Sequence, residues 1–307
     1  LMKRYLITGG AGFIGGHLIK KLKKKGNKII VLDLKKKILE NKYKLKGCEL
    51  VMGDISNEKT FDKIKGKFET VFHLAAKTST AVGQIKSKEC VKTNVSGTKN
   101  LYKWAIKNKP KKIVFTSSMA VYGKIAKNVK EKRKLLPISV YGQTKKSGEK
   151  ILSNLKNKKI QVIILRLFNV YGPGQDYLNL KQGMLSIYLY QIFKNKYVKI
   201  TGSLDRSRDL IFIKDVISAM TLRFSQKKNF IANVGTGKPI TVINLIKKIF
   251  NILKINFRRD RILQTKGHKG DTFASYANIG LLKSLKWSPK FDLNTGLKHT
   301  VRDLKKF

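Results

Sequence analysis

Short apolar, β-branched runs alternate along this chain with longer stretches in which apolar residues recur every three or four positions. "RYLITGG" opens the series, and a helical pattern follows from about Phe13 to Lys25. "KIIVLDL", "CELVMGD" and "TVFHLAA" come next, then a helical pattern from about Val91 to Asn108 and the run "KKIVFTSS". "YGQTKKSGEKILSNL" predicts another helix and "IQVIILRLFNV" another strand. Nearly continuous apolar strands are covered on both faces, and strands spaced by helices pair in parallel. The pattern predicts an α/β fold built on a doubly wound parallel sheet.

After "NVYGPGQ" the rhythm changes, and turn signals become more frequent. We expect one domain over residues 1–171 and a smaller, non-contiguous lobe over 172–307, with a segment near 210–237 returning to the sheet through "NFIANVG". No internal repeat or low-complexity linker interrupts the chain.

Composition narrows the class. The 307 residues are enough to bury a sizeable core. No apolar run approaches the roughly 20 residues that span a bilayer. The start, "LMKRYLITGG", reads as a strand entering a glycine loop and not as a signal peptide, so a cytoplasmic protein with no membrane insertion is expected. Two cysteines, Cys48 and Cys90, suggest no disulfide framework and are too few for a zinc site.

Charge changes the picture more. Lys plus Arg is 67 and Asp plus Glu is 18, a formal balance of 67 − 18 = +49. Such a surface attracts polyanions without specificity. However, the basic residues are 57 Lys and only 10 Arg, spread along the whole chain. Specific readers of phosphates and bases favour the planar fork of Arg. In "HLIKKLKKKGNK" the lysines fill the polar positions between Leu18, Ile19 and Leu22, as a solvated helix face would. A compositionally biased, solvated surface with no specific nucleic-acid partner is the expectation.

Candidate chemistry begins in "TGGAGFIG", which places Gly9, Gly12 and Gly15 between the first strand and the first helix. The first glycine allows the tight turn, the second lets backbone approach a pyrophosphate, and the third lets the helix pack on the sheet. The helix start then offers free N–H groups and a positive dipole end. Asp33 ends the next strand, 18 residues after Gly15. A carboxylate there accepts from an adenosine ribose and repels a 2′-phosphate, which favours NAD over NADP.

A second candidate is "YGQTK", which puts Tyr141 and Lys145 one helical turn apart. The spacing alone is weak evidence: Tyr177/Lys181 and Tyr190/Lys194 share it. Only the first pair stands at a helix start after a parallel strand and its loop.

Taken in order, "TGGAGFIG", "GDI", "HLAAK", "TSSMAVYG", "YGQTK" and "RLFNVYGPGQ" resemble the extended short-chain dehydrogenases/reductases, and within them the nucleotide-sugar epimerases of the UDP-galactose/UDP-glucose 4-epimerase type. The resemblance runs from about residue 3 to residue 300. It implies a Rossmann-type NAD-binding domain, a smaller C-terminal substrate lobe, and a nucleotide-sugar substrate, UDP-linked above all. It implies Ser118 as the catalytic hydroxyl, Tyr141 as the acid/base and Lys145 as its partner, the last two also touching cofactor. For the cofactor it implies Gly9, Gly12, Phe13, Ile14 and Gly15 at the pyrophosphate, Asp33 at the ribose, and Asp54 and Ile55 at the adenine edge. Leu74, Ala75, Ala76 and Lys77 would line the strand end beneath the nicotinamide, with Asn94 supporting them. For the substrate it implies Lys77, Ser118, Asn169, Asn179, Leu180, Arg208, Asp271 and Ser275. Two helices per subunit, here near 91–108 and 142–156, would pack a homodimer.

The chemistry can also be argued from the groups. A phenol with pKa about 10 is a poor base at neutral pH. A nearby ammonium and a positively charged nicotinamide both favour phenolate, each contributing up to about 4 kcal/mol at about 4 Å and an effective dielectric near 20. Tyr141 would take the proton of a sugar hydroxyl while its carbon is oxidised, and the keto-sugar would be re-reduced on its other face. Related 4,6-dehydratases carry an Asp-Glu pair directly after the catalytic hydroxyl. Met119 and Ala120 stand there in this chain and cannot exchange protons. This favours epimerisation over elimination.

At the substrate end, Arg208 suits a pyrophosphate oxygen, or else pairs with Asp205 or Asp209 on the surface. "HKGD" resembles an R-x-G-D stretch, with His268 where Arg is usual and Lys266 or Lys269 as possible replacements. A small residue at Ser275 would admit an N-acetyl group. Two enzyme alternatives stay open, a CDP- or dTDP-deoxysugar 2-epimerase and a keto-sugar reductase. Outside enzymes, an NAD-bound module that binds polyanions does too.

Overall fold

The computed structural model describes residues 2–78, 87–180, 183–222, 229–267 and 273–306. The chain divides into two compact units: Leu1–Val121, Ser139–Arg166 and Met220–Ala232 form the first, and Tyr122–Ile138, Leu167–Ala219 and Asn233–Phe307 the second.

The first unit is built on strands β1 (Arg4–Thr8), β2 (Lys28–Asp33), β3 (Glu49–Met52), β4 (Thr70–His73), β5 (Lys112–Ser118), β7 (Gln161–Leu167) and β11 (Phe230–Val234), with β6 (Ile125–Val129) lying elsewhere. They form one sheet in the order β11-β7-β5-β4-β1-β2-β3. The pairs β1–β2, β2–β3, β1–β4 and β4–β5 are parallel, in keeping with the doubly wound fold read from the sequence. Strand order reverses between β1 and β4, so the loops after these strands flank the crevice where α/β sheets bind ligands. The apolar runs explain the strands' burial: all of β4 is buried, as are Leu6, Ile7, Ile29, Ile30, Val31 and Leu32.

Helix α1 (Phe13–Lys23) buries Gly15, Leu18, Ile19 and Leu22, the i, i+3, i+4, i+7 stripe of an amphipathic helix, and turns lysines outward. Helix α2 (Lys35–Glu40) follows β2. The helix expected over 91–108 begins earlier, as α3 (Ser87–Val91), passes through a π-helical turn (Lys92–Ser96) and continues as α4 (Gly97–Asn108). Helix α5 (Val140–Ser153) matches its predicted span closely.

The second unit has a sheet ordered β12-β10-β14-β6, in which β10 (Ser207–Phe212) also pairs β8 (Asn169–Tyr171); β12 is Pro239–Thr241 and β14 Ala274–Ala277. A separate pair joins β9 (Val198–Thr201) to β13 (Ile262–Thr265). Among the described residues, five α-helices complete it: α6 (Met184–Asn195), α7 (Ile213–Met220), α8 (Val242–Ile252), α9 (Gly280–Ser284) and α10 (Leu293–Leu304).

The single strand expected over "IQVIILRLFNV" is two. β7 stays in the large sheet, the Phe168 N–H donates to Val234 O at 3.0 Å, and β8 then pairs with β10. For this reason the units part at 166/167, against the break after 171 read from the sequence. Residues 122–138 join the second unit, and the returning segment is 220–232, against 210–237. No helix among the described residues is long and apolar enough to cross a membrane.

Candidate active site

The glycine loop leaves β1 at Thr8. Gly9 has φ +74°, and a Cβ there would lie 2.6 Å from the Ala75 nitrogen, so the chain after β1 runs against the chain after β4. A Cβ at Gly15 would lie 2.5 Å from the Gly10 carbonyl oxygen, which fixes how closely α1 sits on the loop. Gly12 caps α1 and brings no side chain to the first-turn N–H groups. The result is a side-chain-free cradle facing a positive helix end, with Phe13 and Ile14 opening the helix. Asp33 closes it: Oδ2 accepts from Ala11 N at 3.0 Å and Oδ1 from Leu34 N at 2.8 Å. Burial raises the Asp33 pKa, and those two N–H groups oppose the rise. A backbone cradle for phosphates beside a carboxylate fits a dinucleotide lacking a 2′-phosphate.

Asp54 Oδ1 accepts from Ser56 N at 2.8 Å. Ile55 turns inward: it is buried, and a Cβ at Gly97 would meet its Cδ1 at 2.5 Å. Its side chain belongs to the core, and its carbonyl accepts from Asn100 Nδ2 at 3.0 Å.

After β4 the chain is fixed by a relay of hydrogen bonds. Ala75 N donates to Thr8 Oγ1 at 3.3 Å, and Thr8 Oγ1 lies 2.7 Å from His73 Nδ1. On the other side His73 Nε2 lies 3.0 Å from Thr98 Oγ1, which donates to Asn94 O at 2.6 Å. Because Thr98 gives its proton to Asn94, His73 carries its own on Nε2 and accepts from Thr8 on Nδ1. The ring is neutral: burial, and secondarily Lys145, bring its pKa down to about 3. Leu74 N donates to Thr8 O at 3.0 Å. Asn94, in the π turn, accepts from Lys77 N at 2.8 Å and donates to Lys77 O at 3.0 Å, and to Thr144 Oγ1 at 2.9 Å. The backbone of Leu74, Ala75, Ala76 and Lys77 is thereby held, while the Lys77 ammonium pairs with half-exposed Glu89 at 3.3 Å.

The three hydroxyls of "TSS" separate at the end of β5. Thr116 Oγ1 donates to His73 O at 3.2 Å. Ser117 Oγ donates to Glu149 Oε1 at 2.5 Å. Ser118 lies beside the Tyr141 phenol, and its Oγ accepts from Ala120 N at 3.2 Å. Ser139 caps α5, accepting from Gly142 N at 3.1 Å, and so starts the helix that presents Tyr141 and Lys145. Lys145 is buried; its Nζ donates to Thr116 O at 2.8 Å and lies 4.8 Å from the Phe115 ring centroid and 5.9 Å from that of Tyr141.

These positions correct one expectation. Lys145 holds the Thr116 carbonyl, and within the protein alone burial pushes the Tyr141 pKa up to about 12, against the lowering influence of Ser118. Burial brings Lys145 down to about 8, against the raising influence of Cys90 and Glu149. Desolvation outweighs the lowering influence of Ser118, so within the protein alone Tyr141 is a protonated phenol.

In the second unit, Asn169, Arg208 and Ser275 come together on adjacent strands. Asn169 Nδ2 donates to Asp209 O at 3.0 Å, and Arg208 stands opposite Ser275 in the parallel β10–β14 register. The Arg208 guanidinium donates to Ser207 O at 2.9 Å and Phe273 O at 3.3 Å; burial, with Arg206 beside it, lowers its pKa to about 10. The Asp209 carboxylate instead accepts from Thr236 N, Thr236 Oγ1, Gly237 N and Ala277 N. Arg208 is therefore a buried residue and not half of a surface ion pair. Asn179 and Leu180 lie in a separate turn, with Leu180 exposed. Asp271, His268 and Lys269 lie outside the described residues.

The profile of the NAD dependent epimerase/dehydratase family matches residues 5–235. The chain belongs to that family. Its members are NAD-dependent enzymes. A putative UDP-glucose 4-epimerase of Methanocaldococcus jannaschii is 35% identical over 314 residues, covering 98% of each chain. Among solved structures, the UDP-glucose 4-epimerase of Thermotoga maritima with UDP-glucose superposes with TM-score 0.88 at 31% identity, over 99% of each chain. A UDP-N-acetylglucosamine 4-epimerase from Methanobrevibacter ruminantium, in complex with UDP-N-acetylmuramic acid, gives TM-score 0.89 at 27% identity, again over 99% of each chain.

Within this family member, sequence reasoning missed four buried residues around the candidate site. His73 was part of a quoted motif yet was given no role. Ser117, Glu149 and Arg166 form a buried network: Arg166 Nε donates to Glu149 Oε1 at 2.9 Å and Nη2 to Oε2 at 2.7 Å. The signal was present, because Arg166 is the one charge inside the apolar run "QVIILRL", and a buried strand charge needs a buried partner.

Proposed function

We propose that this chain epimerises C4 of a UDP-hexose or UDP-N-acetylhexosamine through a transient keto-sugar. The observation that carries the reading is the convergence of Ser118, Tyr141 and Lys145 at the carboxyl end of β5: Ser118 lies beside the Tyr141 phenol and lowers its pKa, and the Thr116 carbonyl holds the Lys145 ammonium 5.9 Å from the Tyr141 ring centroid. Gly9, Gly12, Phe13, Ile14, Gly15 and Asp33 would hold NAD, with the Asp54–Ile55 backbone and Leu74–Lys77 beside it. Bound NAD supplies a hydride acceptor and donor of fixed position, and its positive charge favours the phenolate. Tyr141 Oη then takes the proton of the sugar hydroxyl and returns it, while Ser118 Oγ holds the same oxygen. Proton transfer of this kind is worth about 10²–10⁴-fold.

Met119 and Ala120 support epimerisation over elimination, since neither exchanges a proton. The 4-epimerase relatives support C4 and a UDP-linked sugar. In the second unit, Arg208 is the proposed diphosphate contact, Asn169, Asn179 and Leu180 further nucleotide-sugar contacts, and Ser275 the residue that leaves room at C2. The same reading carries a cytoplasmic homodimer packed through α4 and α5, whose exposed Lys99, Lys103, Lys146 and Lys150 would make its assembly salt-dependent.

Tyr141→Phe tests the assignment. We expect kcat to fall at least about 10²-fold while NAD remains bound. Near-normal turnover by this variant would remove Tyr141 from the mechanism.

A further inference from the structure

Three consecutive residues of β5 face three residues of α5 spaced one turn apart. Ser118 meets Tyr141, the Thr116 carbonyl meets Lys145, and Ser117 meets Glu149. The first two rungs contain the candidate catalytic groups. The third contains none, yet it is the most strongly built. Glu149 receives Ser117 and both prongs of the Arg166 fork, and its side chain and that of Arg166 are only 6% and 3% exposed. Between the second and third rungs Gly148 lets the helix approach the strand, since a Cβ there would lie 2.8 Å from the Phe115 ring.

A buried ion pair is a poor device for stability, because apolar residues of the same volume often do as well. It is a good device for fixing register, and for placing a charge where water cannot screen it. Here both effects fall on Lys145, one turn before Glu149 on the same helix. We propose that Glu149, clamped by Ser117 and Arg166, is a positioning residue that sets the register of Tyr141 and Lys145 on β5 and holds the Lys145 ammonium in its charged form. This rests on the function proposed above.

The groups facing Lys145 agree with that role. From its own helix come Tyr141 and Glu149; from β5, the Thr116 carbonyl and the Phe115 ring; from β4, neutral His73; and from α3, the Cys90 thiol. Arg166, on β7, acts through Glu149. Burial drives the Lys145 pKa down, and the Glu149 carboxylate is one of two groups that oppose it. Neutralising Glu149 removes that support and takes from Arg166 the carboxylate that its fork holds. Neutralising both partners removes the Arg166 charge as well while preserving shape.

The test compares Glu149→Gln with the double variant Glu149→Gln/Arg166→Gln, which protects against simple misfolding of the single one. In protein carrying ¹³Cε-lysine, the Lys145 resonance is assigned by its loss in Lys145→Met, and its titration is followed without any turnover. We expect the midpoint to fall by at least about half a pH unit in Glu149→Gln and to move back toward wild type in the double variant. In parallel, kcat of Glu149→Gln at pH 7.5 should fall about tenfold or more, with KM for the UDP-sugar within about threefold. A Lys145 midpoint unchanged in both variants overturns the proposal, even if both unfold more easily. A wild-type protein that turns over no UDP-sugar overturns the proposed function instead, and leaves the titration to decide the coupling.

Discussion

The Nζ of Lys145 lies 2.8 Å from the carbonyl oxygen of Thr116, in a site where both residues are buried. The bond anchors the ammonium to the strand that carries Ser118 and aims it past the Phe115 ring. Burial still brings Lys145 down to about 8 from 10.5. Between these two values the unfolded chain binds the proton and the native chain does not, so this residue's contribution makes stability rise with pH across that window and leaves a fixed cost below it. Lys145→Met removes the titration. The stability difference between Lys145→Met and wild type, from urea midpoints, should therefore shift in wild type's favour by more than about 1 kcal/mol as pH rises from 7.5 to 10. A pH-independent difference would contradict it.

His73 makes the opposite limb visible. Its ring is held neutral between Thr8 and Thr98, with the pKa lowered to about 3 from 6.5. Between those values the unfolded state binds the proton and the native state does not, so this stability is complete above pH 6.5 and is lost as pH falls toward 3. His73→Gln should cost about 1–3 kcal/mol at pH 7.5. It should also flatten the acid limb by up to about 1.4 kcal/mol per pH unit. Denaturant midpoints at pH 7.5, 6 and 5 measure both effects.

The glycine loop gives a test with an internal control. Gly15→Ala would drive a methyl group to 2.5 Å from the Gly10 carbonyl, whereas at Gly16 the nearest atom is the flexible end of Lys44 at 3.6 Å. Gly15→Ala should weaken NAD binding by at least about tenfold and destabilise the fold by 1 kcal/mol or more, on the order of overpacking costs elsewhere. Gly16→Ala should bind NAD normally and gain about 0.5–1 kcal/mol from helix propensity. Titration calorimetry and thermal melts read both.

A formal charge of +49 works against any compact state. Screening shortens from about 30 Å at 0.01 M salt to about 3 Å at 1 M. We expect Tm to rise by at least about 3 °C over that range, the equivalent of roughly 1 kcal/mol for a chain of this size. A falling Tm would mean that pairs such as Lys103–Glu58, at 2.7 Å, outweigh the general repulsion.

The fold was legible because each strand of the large sheet announces itself as an apolar run, and because the glycine loop follows the first of them. Where the reading failed, the deciding interaction was distant. Nothing in "RLFNV" marks a break: there is no glycine or proline, and the strand divides at Phe168 only because Val234 and β10 claim its two sides. The π turn at Lys92–Ser96 is equally silent, being a local shift of helical phase that places Asn94 against Lys77 and Thr144. Of the hydroxyls in "TSS", family likeness singled out Ser118. Ser117 could be understood only with Glu149, 32 positions away, and Arg166 beside it.

The most direct test is to incubate purified protein with NAD and, separately, UDP-glucose, UDP-N-acetylglucosamine and UDP-glucuronate, and to follow the anomeric proton signals by NMR while reading NADH absorbance. The account predicts that at least one of these sugars reaches a mixture with its C4 epimer while NADH does not accumulate, and that Tyr141→Phe abolishes the conversion. Conversion to a 4-keto-6-deoxy sugar, stoichiometric NADH, or no conversion of any of the three would contradict it.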